Sequence, residues 1–137
     1  MEQYRKPMPA SKLPNVSKEF WKAAKRHELI IQQCGDCGKN IFYPKPFCTN
    51  CLSPNLKWIQ SSGRGKVYSY AVPRAQTPRP FSNDTPYIIA VIHLEEGVAI
   101  SSNIVNCKPE DMRCNMDVRV VFEDVSDSIT LPKFEPL

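Results

Sequence analysis

From about Lys57 onward, apolar and polar positions alternate in short runs: "GKVYSYAV", "PYIIAVIHL", "GVAISSNIV", "DVRVVFEDV" and "ITLPKF". A period of two, rich in β-branched and aromatic residues, marks half-buried strands, so five strands are expected. Glu95, Glu96 and Gly97 separate the second run from the third. They read as a hairpin loop in which Gly97 takes the left-handed conformation without steric cost, which pairs these two strands antiparallel. "KPEDMRCN" reads as one helical turn opened by Pro109, between the third strand and the fourth. Five strands with a short helix after the third describe a Greek-key barrel of the oligonucleotide/oligosaccharide-binding (OB) type.

Upstream the pattern is helical. Ser17 can cap a helix of about three turns in which Phe20, Trp21 and Ala24 share one face and Glu19 lies near the positive end of the dipole. Lys18, Lys22, Lys25 and Arg26 make its polar face basic. "ELIIQQ" then reads as a strand that delivers the chain to Cys34. The expected fold is therefore mainly β, in three parts: a tail and helix over residues 1–33, a cysteine module over 34–56 and the barrel over 57–137.

The module carries two CxxC pairs with ten residues between them, "CGDCGKNIFYPKPFCTNC", and Pro44 and Pro46 exclude a helix between the pairs. A CxxC turn is a tight knuckle that points two sulfurs at one ion, and two knuckles complete the tetrahedron of thiolates that zinc prefers. Gly35 and Gly38 stand where amides must fold toward sulfur. Cys34, Cys37, Cys48 and Cys51 are thus expected to hold Zn2+, although iron fits the same four sulfurs. A full four-thiolate shell leaves no open position for water or substrate, so the metal is expected to be structural. Cys107 and Cys114, seven residues apart, match no ligand spacing and read as buried, inert thiols.

Composition adds little, with 42% apolar and 23% charged residues, but the distribution of charge does. Residues 1–81 hold 14 Lys/Arg against 4 Asp/Glu, a balance of +10, and residues 82–137 hold 4 against 10, a balance of −6. Such a split suits a small phosphate ligand or a protein partner better than a long polyanion laid across the whole surface. No apolar run approaches the roughly 20 residues of a bilayer-spanning helix. The N-terminal stretch lacks the apolar core of a secretory signal, so a cytoplasmic protein with no membrane attachment is expected.

Catalysis by this chain alone is not expected. His27 and His93 stand in no nucleophile or metal motif, and "GRG" at 63–65 is too short for a phosphate loop and precedes a strand. Residues 57–81 instead combine Lys57, Arg64, Lys66, Arg74 and Arg79 with Trp58, Tyr68, Tyr70 and Phe81, and contain no acidic residue. Cations beside aromatics hold phosphates and stack bases, whether of a single strand or of a nucleotide-like cofactor. Alternating aromatics on strands also serve as core or cross-strand pairs, the simpler account of Tyr68 and Tyr70. Arg74, Arg79 and Phe81 fall in "PRAQTPRPFSNDTP", a long loop with four prolines and no periodicity.

The order "FWKAAKRHELIIQQCGDCGK", "YPKPFCTNC", "GRGKVYSYAV", "PYIIAVIHLEEGVAISSNIV" and "DVRVVFED" resembles a family of zinc-ribbon plus OB-fold proteins associated with thiolases and acyl-CoA. The likeness runs from about Pro14 to Asp124. It implies a helix and a rubredoxin-like ribbon ahead of the barrel, with the four cysteines in the ligand positions. Archaeal members of that family join an acetoacetyl-CoA thiolase to a hydroxymethylglutaryl-CoA synthase, and others accompany lipid-transfer-type thiolases or hydratases. The resemblance therefore implies a non-catalytic subunit that binds such an enzyme and helps to hold coenzyme A or acyl-CoA, with Lys45, Arg74, Arg79 and Phe81 as candidate contacts. The family often has arginine three residues before the third cysteine and proline after it, where this chain has Lys45 and Thr49. Against a phosphate, Lys45 would keep the charge and lose the bidentate fork. A single-stranded nucleic-acid-binding module is the alternative reading, and the acidic half argues against it.

Overall fold

A helix, a three-stranded sheet and a closed barrel follow one another along the chain. The computed structural model describes residues 15–137, and the proline-bearing tail lies outside them. Helix α1 spans Asn15–Lys25, so Ser17 stands in its first turn rather than ahead of it. Phe20, Ala23 and Ala24 are buried and Trp21 is half-buried, which gives α1 the inward face its spacing predicts. The helix ends in a Schellman motif: the amides of His27 and Glu28 donate to the carbonyls of Ala24 and Ala23, each at 2.9 Å. His27, at φ +61°, occupies the left-handed position usually taken by glycine.

The sheet has the order β2-β1-β3, from β1 (Ile30–Cys34), β2 (Asn40–Ile41) and β3 (Leu56–Gln60), all antiparallel. Five residues of β1 pair with β3, from Ile30 opposite Gln60 to Cys34 opposite Leu56. Lys57 and Trp58 consequently belong to this sheet and not to the barrel surface.

The barrel closes in the order β4-β5-β6-β8-β7, from β4 (Arg64–Ala71), β5 (Ile88–Leu94), β6 (Ala99–Ile104), β7 (Asp117–Asp124) and β8 (Thr130–Pro136). This is the expected five-stranded OB barrel. Gly97 turns the β5–β6 hairpin at φ +82°, and a single 3-10 turn, Pro109–Asp111, follows β6 as the proline predicts. The proline-rich crossover between β4 and β5 departs from its reading as plain loop, because Arg79–Asp84 coils into a 3-10 helix with Pro80 in its first turn. Strands β6 and β8 meet in parallel only where Ile104 lies opposite Phe134. Pro132 has no N–H to give to a ladder there. The Ser101 amide at this open edge donates to the Tyr43 hydroxyl at 3.1 Å, and the Ser102 hydroxyl donates to the Pro132 carbonyl at 2.7 Å.

Val67, Ile92, Val118 and Phe134 fill the barrel, and Phe20, Leu29 and Ile31 join the same cluster from the helix, the turn after it and β1. Helix, sheet and barrel thus share one core. The cysteine module has only Cys34, Ile41 and Cys48 as a buried cluster of its own, with Leu56 packed against it.

Candidate functional site

Two turns of the same geometry present the four cysteines. In the first, the amides of Asp36 and Cys37 approach Cys34 Sγ at 3.4 Å each, and the Gly38 amide donates to the Cys34 carbonyl at 3.0 Å. In the second, the amides of Asn50 and Cys51 approach Cys48 Sγ at 3.3 and 3.4 Å, and the Leu52 amide donates to the Cys48 carbonyl at 3.0 Å. The residue after each knuckle lies in the left-handed region, Gly38 at φ +77° and Leu52 at φ +64°. Gly35 does a different job: a Cβ there would lie 2.5 Å from Asn55 Nδ2, and its amide donates to the Asn55 carbonyl at 2.8 Å.

All four Sγ atoms lie within 4.8 Å of one another. Cys34 to Cys51 and Cys37 to Cys48 are each 3.6 Å apart. A tetrahedral ion with sulfurs at about 2.3 Å requires sulfur–sulfur edges of about 3.8 Å, so the donor set fits one. The thiols hold their protons unequally. The Lys39 amide and Asn50 Nδ2 bring Cys37 down to about 6, and the Cys37 amide leads the groups that lower Cys34. The Ser53 amide draws Cys51 down, but burial and its three sulfur neighbours outweigh it and push Cys51 up to about 12. Four thiolates in so small a space repel one another, and a divalent cation in place of their protons removes that conflict.

One residue of this site carries no motif signal. The carboxylate of Asp36, in the first knuckle, accepts hydrogen bonds from the Ser53 hydroxyl and from Asn55 Nδ2, both just past the second. Those two bonds, Ser53 before Asn55, hold the Asp36 carboxyl below its usual range. A carboxylate between two cysteines followed by serine and asparagine beyond the second pair was the available clue.

Lys45 is exposed on the loop before Cys48, its backbone clamped by the Gln32 side chain, which donates to the Lys45 carbonyl at 3.0 Å and accepts from its amide at 2.8 Å. Arg74 is exposed on the β4–β5 crossover, and Arg79 and Phe81 fall on its 3-10 helix. Phe81 is half-buried with its ring 6.0 Å from that of Tyr87, beside a cleft of about 310 Å³ that Asn103, Cys107 and Lys133 also line. Lys45 is therefore on the ribbon and the other three on the barrel. Trp58 is half-buried against the shared core, while Tyr68 and Tyr70 are exposed, so neither tyrosine is core and the cross-strand reading holds for Tyr68 alone. Tyr70 donates to the Met112 carbonyl at 3.2 Å, and Tyr68 stacks on His93.

The expectation of two buried thiols needs correction. Cys114 is exposed and Cys107 half-buried against the core, because the 3-10 turn between them runs along the surface and Met112 is its buried neighbour. Cys107 Sγ lies 3.7 Å from Met112 Sδ, and burial, with Asp111 nearby, pushes its thiol up. Among the described residues no helix is long and apolar enough to cross a membrane.

Residues 21–57 match the ChsH2 rubredoxin-like zinc ribbon domain and residues 58–123 the ChsH2 C-terminal OB-fold domain. A DUF35 domain-containing scaffold protein of Methanocaldococcus jannaschii is 39% identical over 125 residues, 85% of this chain and 88% of that protein. A probable enoyl-CoA hydratase alpha subunit of Thermomonospora curvata is 33% identical over 96% of this chain, which spans only 40% of that longer protein. Among solved structures, the Ltp2-ChsH2(DUF35) aldolase superposes with a TM-score of 0.84 and 29% identity, over 93% of this chain and 98% of that one. A ribbon of four converging thiols, an OB barrel behind it and these matches along nearly the whole chain agree: the protein belongs to the DUF35 family of zinc-ribbon/OB-fold proteins.

Proposed function

We propose that this protein is a non-catalytic accessory subunit of an acyl-CoA enzyme. It docks on a thiolase-superfamily or hydroxymethylglutaryl-CoA synthase-type partner and contributes groups to coenzyme A binding. The observation that carries this reading is the site itself: four thiols converge into a closed shell that has no place for a substrate. Zn2+ held by Cys34, Cys37, Cys48 and Cys51 then fixes the ribbon in shape, and the chemistry belongs to the partner. The names of the relatives support the role, since they describe a scaffold protein, a hydratase alpha subunit and an aldolase complex. Lys45, Arg74, Arg79 and Phe81 are the proposed contacts to coenzyme A.

The test is a pulldown from the native host at low salt, with recovered proteins identified by mass, followed by assay of the recovered enzyme with and without this subunit. Recovery of an enzyme acting on coenzyme A thioesters whose activity falls when the subunit is stripped away is the expected result. Recovery of no such enzyme, or of one indifferent to the subunit, overturns the reading.

A further inference from the structure

Tyr68 and His93, on neighbouring strands β4 and β5, stack nearly parallel, with ring centroids 4.4 Å apart and planes inclined by 12°. A register shift in β4 between Val67 and Ser69 sets Tyr68 out of the ladder, and 63% of its surface remains exposed. One face of the ring is used by His93, and the exposure leaves the other for a second ring. The surroundings are unusual for a surface. Ser69, Ala71, Ile89, Val91, Ala99 and Ser101 share this side of the sheet without a charge, and Lys66, opposite His93, is the cation at its end toward β7. On β7 and β8 of the same barrel, by contrast, Arg119 pairs with Glu135 and Lys133 with Glu123. Exposed faces are ordinarily about a quarter to a third charged, so the stacked pair stands between an uncharged stretch on one side and a cluster of charges on the other.

A cleft of about 480 Å³ opens beside the pair, lined by Arg64, Lys66, Tyr68, His93 and Asn115. Its volume falls in the range of about 300–1,000 Å³ usual for small-ligand sites. Two acidic side chains also reach it, one paired with a cation and the other hydrogen-bonded to a neutral hydroxyl. Asp117 accepts from Lys66 Nζ at 2.8 Å, and Glu95 accepts from the Ser62 hydroxyl at 2.8 Å. Lys66 is thereby neutralised, whereas the exposed Arg64 guanidinium has no ion pair among the described residues. An open aromatic face and a guanidinium without an ion pair, lining one cleft, can together hold a base and its phosphate.

We propose that this cleft binds a phosphorylated purine nucleotide, its base stacked on Tyr68 and its phosphate against Arg64. Two sources share that chemistry: the nucleotide end of coenzyme A and a base of a single strand. The assignment to coenzyme A rests on the accessory role proposed above, while the nucleotide site itself does not.

The experiment is an NMR titration of the zinc-loaded full chain with ADP, with coenzyme A and with a deoxyadenosine decamer. Wild type is compared with Tyr68→Leu and Arg64→Gln, two exposed positions whose variants are first checked for an unchanged melting temperature. ADP and coenzyme A are expected to shift the amides of residues 64–69 and His93, and each substitution to weaken binding about tenfold. Added salt should weaken wild type more than Arg64→Gln. Absence of these shifts at millimolar ligand, or affinities indifferent to both substitutions, overturns the cleft. Coenzyme A that instead shifts residues 74–81 alone overturns the cleft and leaves the accessory role standing. A decamer bound a hundredfold tighter than ADP through the same residues upholds the nucleotide site and removes coenzyme A as its source.

Discussion

His27 holds φ +61° without being glycine, and what surrounds it explains why it can. Its Nε2 lies 3.1 Å from both carboxylate oxygens of Asp124, and its ring stacks on Phe122 at 5.2 Å and 14°. Left-handed backbone costs an L-residue roughly 1–2 kcal/mol, and these contacts offset it. Glycines at such positions are legible in sequence, and Gly38 and Gly97 both stand where turns call for positive φ. His27 and Leu52 were not legible, because tertiary contact or the repeat of the knuckle selects their conformation, not any propensity of their own. Leu52, 76% exposed, copies the geometry of Gly38. Comparison of two substitutions separates strain from contact at the helix end. His27→Ala keeps the strain and loses the ring, whereas His27→Gly loses both. In urea unfolding the alanine variant should be the least stable of the three proteins, below glycine by about 1 kcal/mol. A glycine variant no better than alanine would mean that the backbone at His27 carries no appreciable strain.

At the scale of elements, spacing made the ribbon legible and register did not. Two CxxC pairs announce four sulfurs converging on one point, since a knuckle is local and its geometry travels with the motif. The return strand Leu56–Gln60 has no such signature. Leu56, Trp58 and Ile59 are half-buried while Lys57 and Gln60 are exposed, and the strand's place is set by pairing with β1 across more than twenty residues of intervening chain. The link between ribbon and barrel was equally silent: Glu96 accepts from the Ser61 hydroxyl at 2.5 Å and from the Ser62 amide at 3.1 Å, and Asn40 Nδ2 donates to the Glu96 carbonyl at 2.9 Å. A hairpin carboxylate that reads as ordinary surface therefore ties the two parts together. The small buried cluster of the module and the large one of the barrel imply unequal dependence on metal. On chelation, amide hydrogen exchange should rise first and most across residues 34–56, with β4 to β8 remaining protected. Asp36→Ala, which unbuckles the two knuckles, should hasten loss of the ion to a chelator about tenfold. Uniform loss of protection over the whole chain would mean that the barrel does not hold its fold without the ribbon.

For the whole molecule, the basic first part and the acidic second part are separate in sequence but in contact within the fold. Lys66 pairs with Asp117, His27 with Asp124, and Lys25 Nζ donates to the Ser126 carbonyl at 3.1 Å, so the two parts meet as internal neighbours. Linear charge counting could not see this, because only the barrel's closure brings β7 and the turn after it beside the helix end and β4. Two carboxylates, Asp124 at such a seam and Glu135 within the second part, are held below their ordinary values. Asp124, ordinarily 3.8, is lowered first by the Thr130 hydroxyl and then by His27, and Glu135, ordinarily 4.5, first by Asn106 and then by Arg119. A carboxyl whose folded value is depressed stabilises the native state above its unfolded value and ceases to do so as pH falls through the folded one. The stability these groups contribute should therefore be fully present near neutrality and decline as pH drops below about 4.5. Asp124→Asn combined with Glu135→Gln removes the titration while conserving shape. Urea midpoints measured from pH 6 to pH 2.5 should begin lower for the double variant and fall less steeply below pH 4.5. Protonation of the cysteine cluster acts on both proteins alike, so the difference between the curves belongs to the two carboxylates. Parallel curves would show that neither carboxylate is more stable as an anion in the folded protein than in the unfolded chain.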